Sequence, residues 1–189
     1  MTWEELHAEA MRCVRCPLAA TRRRVVFGAG DPGARLMLVG EGPGAEEDVA
    51  GEPFVGAAGR LLTRILESVG FTRQEVYIAN VVQCRPPDNR VPLPQEVDAC
   101  RPFLSEKLHM VAPRILVLLG STATRALLDP RARITEVRGQ EFHRDGRLVI
   151  PTFHPSALLR DPAKKRPVWL DFQLVRRRYD ELGSRATTP

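Results

Sequence analysis

Residues 35–44 read Arg35-Leu-Met-Leu-Val-Gly-Glu-Gly-Pro-Gly44. The first six are a short apolar run ending in glycine, the signature of a buried strand. The next four break at once into a polar, glycine-rich loop. The same succession recurs along the chain. Residues 75–83 (EVYIANVVQ) read as a second strand with Asn80 toward its end, residues 115–120 (ILVLLG) as a third followed by Ser121, and residues 149–152 as a fourth followed by His154-Pro-Ser156. Helical patterns fall between them. Leu61, Leu62, Ile65, Leu66 and Val69 recur at helical spacing over 59–69, and Gly70 stops them. Residues 94–111 form a long helix with Pro94 at its start, 121–128 a shorter one, and 167–182 a basic, partly apolar one. Thr2 caps a helix over 2–12. Residues 13–33 form a connector, 41–55 and 84–94 read as loops, and 144–146 as a turn. Strands alternating with helices predict an α/β fold: three layers, α/β/α, around a central four-stranded, mostly parallel sheet. Near-continuous apolar strands require a sheet covered on both faces. Such sheets bind ligands beyond the carboxyl ends of their strands. Glu41 to Gly44, Asn80, Ser121 and the His154 segment all follow strands, so all are expected around one crevice.

At 189 residues, with 43% hydrophobic residues, the chain fits one domain, 1–189, with a single sizeable core. No apolar run approaches the length that spans a bilayer, so no membrane partner is expected. The first residues carry neither a basic n-region nor an apolar h-region. A cytoplasmic protein is expected, in which structural disulfides are uncommon. The net charge of +5 and pI near 9.4 favour a polyanionic partner. Arg22 to Arg24, Lys164 to Arg166 and Arg176 to Arg178 are the basic runs.

The four cysteines are Cys13, Cys16, Cys84 and Cys100. Cys13 and Cys16 have the CxxC spacing that brings two thiolates to one metal centre. The second pair is separated by fifteen residues and is no knuckle. Wide, irregular spacing suits a [4Fe–4S] cluster better than one tetrahedral ion. A zinc site and unligated core thiols are the alternatives.

Three separated motifs, in order, carry a family resemblance. Gly40-Glu-Gly-Pro-Gly44 with Glu47-Asp48 and Gly51-Glu-Pro-Phe-Val-Gly-Ala-Ala-Gly59 resembles the first active-site motif of family 4 uracil-DNA glycosylases. His154-Pro-Ser-Ala-Leu-Leu-Arg160 resembles their second, and the cysteine pattern resembles their [4Fe–4S] ligand set. The match extends over about residues 13–160. It implies a monofunctional hydrolase of base excision repair that removes uracil arising from deaminated cytosine. The implied substrate is uracil-containing DNA, single- or double-stranded, and the product free uracil. A monomer is expected, nucleoid-associated, with a sliding clamp as a further partner.

The chemistry asks for these residue types. A base in a duplex must be flipped into a pocket. Phe54 is the candidate platform for the flipped pyrimidine. Asn80, with one donor and one acceptor, can read the uracil edge. Bond cleavage leaves negative charge on the base, and His154 is the candidate donor to its carbonyl oxygen. Glu41 is the first candidate, and Glu47 the second, to position water and stabilise the sugar cation. Gly42 stands where some superfamily relatives place a catalytic Asp, and Gly44 where some place an aromatic against thymine's methyl group. Gly42, Pro43, Gly44 and Ser156 are candidates for backbone grip on phosphates. Ser121 is another, although N-capping explains it equally well. Leu158 or Leu159 is the candidate wedge into the base stack, with a core role equally open for one of them, and Arg160 with the Lys164 to Arg166 run is the candidate salt-dependent grip on DNA. A catalytically silent nucleic-acid-binding module and an iron–sulfur electron carrier are the competing readings.

Overall fold

The computed structural model describes residues 1–184. Helix α1 (Trp3–Met11) starts at a reciprocal capping box. Glu5 N–H donates to Thr2 Oγ1 at 3.2 Å, and Thr2 N–H donates to Glu5 Oε2 at 2.7 Å. A two-residue strand β1 (Ala29–Gly30) precedes β2 (Leu36–Gly40), in which every residue is buried. Helices α2 (Ala45–Ala50) and α3 (Ala57–Ser68) lead to β3 (Tyr77–Asn80). Then follow α4 (Pro94–Val111), β4 (Ile115–Leu119), α5 (Ser121–Leu127) and α6 (Ile134–Val137). The hairpin β5 (Phe142–Arg144) and β6 (Arg147–Thr152) precedes α7 (Pro155–Arg160) and α8 (Lys165–Ser184).

The sheet has six strands in the order β1-β3-β2-β4-β6-β5, not the four expected. Its four central strands are all parallel, and the two extra strands are antiparallel edges. β1 is too short to carry any periodicity. β5 is the upstream arm of the expected turn, where Asp145 (φ 48) and Gly146 (φ 76) both take left-handed backbone and close a tight hairpin. The expected 41–55 loop contains α2, six residues long and hidden in the sequence by the flanking glycines and prolines.

Strand residues alternate between two cores. Met37, Val39, Tyr77, Leu116 and Leu118 pack on the side of α1, α4 and α5. Leu36, Leu38, Ile78, Ile115 and Val117 pack on the side of α3 and α8. This two-sided coverage is why the strands are apolar at successive positions. From β2 the chain moves to β3 on one flank, then crosses back to β4 on the other. The carboxyl ends of β2 and β4 therefore flank a topological switch point, where open α/β sheets bind ligands.

Helix α8 locks this arrangement lengthwise. Near its start, Asp171 is 3% exposed and accepts from Thr152 Oγ1 at 2.6 Å. Arg138 Nε donates to Asp171 at 3.0 Å, its Nη2 pairs with the other carboxylate oxygen, and Nη2 also reaches Pro167 O at 3.1 Å. Near its end, Leu182 O accepts from Arg114 at 2.8 Å, just ahead of β4. Among the described residues no helix is long and apolar enough to cross a membrane.

Removing the cation of a buried pair leaves a desolvated charge. Arg138→Met is expected to lower unfolding free energy by about 3 kcal/mol. Urea unfolding should show a lowered midpoint with an unchanged slope.

Candidate active site

A crevice of about 730 Å³ opens at the carboxyl ends of β2, β3, β4 and β6, at the switch point. Of the proposed site residues outside the cysteines, all but Leu158 line it: Glu41, Gly42, Pro43, Gly44, Glu47, Phe54, Asn80, Ser121, His154, Ser156 and Arg160.

Glu41 is the first residue after β2. One of its carboxylate oxygens, Oε2, accepts a short hydrogen bond from the Thr122 hydroxyl in the first turn of α5. Oε1 has no protein hydrogen-bond partner among the described residues. Thr122 was not singled out from the sequence; its one signal was position, two residues past the third strand.

Glu47 is engaged differently. Its Oε1 accepts from the backbone N–H of Val55 at 2.9 Å and of Gly56 at 2.8 Å, and its Oε2 accepts from Gly44 N–H at 3.1 Å. The carboxylate is a staple between the start of α2 and the loop carrying Phe54. Arg73 closes that loop from the other side, donating to Pro53 O at 2.8 Å and Phe54 O at 3.0 Å. Between the two, Phe54 sits at φ 55, left-handed backbone that bulky residues avoid. The staple, the clamp and this backbone together aim the ring into the crevice wall. The Phe54 and His154 rings face each other at 5.5 Å between centroids, tilted by 31°.

Asn80 ends β3 directly opposite Gly40. It is 3% exposed, and its Oδ1 is buried without a hydrogen-bond partner among the described residues. An orphan acceptor at the edge of a crevice points to a ligand donor. Gly40 makes the space: a Cβ there would lie 2.6 Å from both Asn80 Oδ1 and the Phe54 ring.

His154 caps α7. Its Nδ1 accepts from Ser156 N–H at 3.1 Å and faces Ser156 Oγ at 2.8 Å. A backbone N–H can only donate, so Nδ1 is unprotonated and the neutral ring carries its hydrogen on Nε2. Burial, reinforced by the charge of Arg160 and opposed by Glu47, pushes the imidazolium down to about 4. The ring is thus a neutral donor at physiological pH. Ser156, expected to grip phosphate, turns both its N–H and its hydroxyl toward His154. Gly120, at φ +89, allows the close approach; a Cβ there would lie 2.9 Å from that of His154.

Leu158 requires correction as a wedge. It is 1% exposed and packs in the core shared with α3 and α8, which leaves it no reach to DNA. Its neighbour Leu159 is 48% exposed.

The four cysteines, free of disulfides, line one small cavity with Arg15, Arg22 and Gln83. Among the described residues no group of three or more His, Cys, Asp or Glu side chains converges as a site for one metal ion. Arg22 Nη1 donates to Cys84 Sγ at 3.3 Å, and Gln83 N–H donates to Cys100 Sγ at 3.4 Å. Burial pushes the Cys84 thiol up to about 11 against the pull of Arg22, and raises Cys100 likewise. Lys107, which the sequence reading passed over, is fully buried behind Cys100. It donates to Gln83 Oε1 at 2.5 Å and to Phe27 O, and burial pushes its ammonium down to about 7.

Residues 27–174 match the family model described as the uracil DNA glycosylase superfamily. The chain is 49% identical over 152 residues to a type-4 uracil-DNA glycosylase of Thermotoga maritima, covering 79% of each chain. It is 39% identical over 180 residues to the type-4 uracil-DNA glycosylase of Archaeoglobus fulgidus, covering 91% of this chain and 90% of that one. A type-5 uracil-DNA glycosylase of Pyrobaculum aerophilum is 32% identical over 181 residues, covering 78% of this chain and 80% of that one.

Removing the staple should loosen the Phe54 loop and the start of α2 while leaving the sheet in place. In Glu47→Ala, amide hydrogen exchange at Val55 and Gly56 is expected to quicken by at least about tenfold, since each amide loses a charge-assisted bond of about 1.5 kcal/mol or more. Exchange in β2 should stay as in the parent.

Proposed function

The chain belongs to the uracil DNA glycosylase superfamily, on its type-4 branch, and from that premise we propose that it hydrolyses the N-glycosidic bond of uracil in DNA through the crevice residues Asn80, Phe54, His154 and Glu41. The observation that carries this reading is the pairing of an orphan acceptor on Asn80 with a neutral, Nε2-protonated His154 in one crevice.

Uracil offers a donor at N3 and an acceptor at O4. Asn80 Oδ1 accepts from N3–H while its amide N–H donates to O4. Cytosine reverses both groups, so acceptor would face acceptor and donor would face donor, each left unpaired in a buried site. Phe54 stacks against the pyrimidine face. As the bond from C1′ to N1 breaks, its electron pair goes to the base and charge collects on O2. His154 Nε2–H donates to that oxygen, an oxyanion-type interaction that is already aimed before the reaction begins. Ser156 sets this aim by holding Nδ1 as an acceptor. The sugar is left cationic. The Glu41 carboxylate stabilises it and orients the water that adds to C1′, with Thr122 fixing one oxygen and the other turned to the reaction. The water loses a proton, N1 of uracil gains one, and the products are free uracil and an abasic site. The chain's three lysines, Lys107, Lys164 and Lys165, are absent from the crevice lining. No Schiff base is formed, and strand cleavage is no part of the reaction. The work of this enzyme is repair of deaminated cytosine, within the cytoplasm.

We infer that Cys13, Cys16, Cys84 and Cys100, which line one cavity, would hold a [4Fe–4S] cluster. Four thiols share one cavity, two N–H groups donate to sulfurs as they do around iron–sulfur clusters, and iron would supply the charge that ionises the two buried thiols. When bound, the cluster supplies a covalent tie between the N-terminal segment and the segment that leaves β3. The cysteine cavity and the crevice share no lining residue.

The test is excision from a uracil-containing oligonucleotide, read by alkaline cleavage of abasic sites. Intact strands after incubation with folded protein would overturn the proposal. His154→Ala is expected to lower kcat by about 10²- to 10³-fold with a small change in KM. The His154 imidazole stays neutral until the pH falls toward about 4. The parent should therefore show no loss of kcat from this group near pH 6.5, and a loss only on approach to pH 4. Brown protein with iron and sulfide in equal amounts is expected; colourless protein holding zinc would refute the cluster.

A further inference from the structure

The outer face of α8 carries apolar bulk that the fold leaves partly uncovered. Trp169 is 44% exposed and Leu170 is 48% exposed. Both lie at the crevice end of the helix, because the next residue, Asp171, is bonded to Thr152 at the end of β6. Lys165 and Arg166, both exposed, precede them by one turn. Spacings of three and four residues put these four side chains on one stripe.

The charges of that stripe are uncommitted. Lys164 pairs with Asp161 at 2.8 Å, and Arg176 and Arg178 pair with Asp180, Glu141 and Glu181. Lys165 and Arg166 have no ion-pair partner among the described residues. The stripe is also continuous with the crevice. Lys164 Nζ lies 5.5 Å from the centre of the Phe153 ring, and Phe153 lines the crevice wall. On the other side of the short turn Pro162–Lys164 stand the exposed Leu159 and Arg160 of α7.

An exposed indole flanked by free cations, joined to a site that takes a nucleotide, has the composition of a single-strand track. Every base has a face to stack, and every phosphate a charge to pair. We propose that the strand leaving the crevice passes over α7 onto α8, where Trp169 stacks on an unpaired base flanking the flipped nucleotide. Lys165 and Arg166 contact the phosphates on either side. This rests on the DNA reading above and extends it to a second contact surface outside the pocket.

The chain has two tryptophans, and Trp3 is packed edge-on against Phe27 and Tyr77. In a Trp3→Phe variant, fluorescence therefore reports Trp169 alone. Titration with a uracil-free single-stranded oligonucleotide should quench it to saturation, and salt should reverse the quench. In the otherwise unchanged chain, Trp169→Ala should weaken binding of a labelled oligonucleotide, followed by anisotropy, by about tenfold. Lys165→Ala and Arg166→Ala should each flatten the slope of log affinity against log salt by about 0.7. Excision from a substrate too short to reach α8 should match the parent in all three variants. Oligonucleotide binding that leaves Trp169 fluorescence unmoved, or equal affinity in Trp169→Ala, would overturn the proposal while the DNA reading stands. A parent that binds no oligonucleotide would overturn the DNA reading and the track with it. A Trp169 signal that follows protein concentration without DNA would mark a self-association face and refute the track.

Discussion

The Glu47 carboxylate organises the crevice without facing its chemistry. Three backbone N–H groups converge on it, from Gly44 and from Val55 and Gly56. Charge-assisted bonds of this kind are among the stronger ones a protein makes. They tie the loop after β2 to the loop that presents Phe54, and that ring packs against His154. Arg73 completes the restraint from outside both active-site motifs. The platform is therefore formed before a base arrives, so the ordering cost is met in folding and not in binding.

The same economy runs through the rest of the site. Asn80 ends a strand in parallel register with Gly40 and is buried, so its place at the crevice edge is set by the sheet. His154 is aimed by the backbone two residues ahead of it. Glu41 is held at one oxygen by Thr122. Phe54, His154 and Glu41 each have a second residue that fixes them, in Glu47, Ser156 and Thr122, and each of those comes from the first turn of a helix.

Much of this was legible in the sequence. Apolar runs located the four central strands, two of them closed by glycine, and polar residues at or just past their ends converged as expected on one crevice. What escaped had physical reasons. The edge strands β1 and β5 are too short, or too exposed, to show a pattern. Helix α2 is disguised by its surrounding glycines and prolines. Spacing could not separate Leu158 from Leu159, since adjacent residues on a helix of six point in different directions, one inward and one to solvent. Nor could a sequence say which carboxylate is consumed by backbone N–H groups. Glu41 and Glu47 are chemically alike and differ only in what surrounds them. Thr122 and Arg73 act through contacts with residues 81 and 19 positions away, and no local signal marks them.

The lengthwise position of α8 has a consequence for how the protein is made. This helix follows every strand among the described residues, yet Val168, Phe172 and Val175 complete one of the two cores. Until those residues emerge from the ribosome, Leu36, Leu38, Ile115, Val117 and Ile150 have only part of their cover. The nascent sheet then presents an open apolar face, the kind of surface that chaperones hold and that aggregation exploits. Docking of α8 closes that face and, through Asp171 and Thr152, braces the strand that carries His154. Burial of the second core and bracing of the catalytic end thus both wait on the docking of α8.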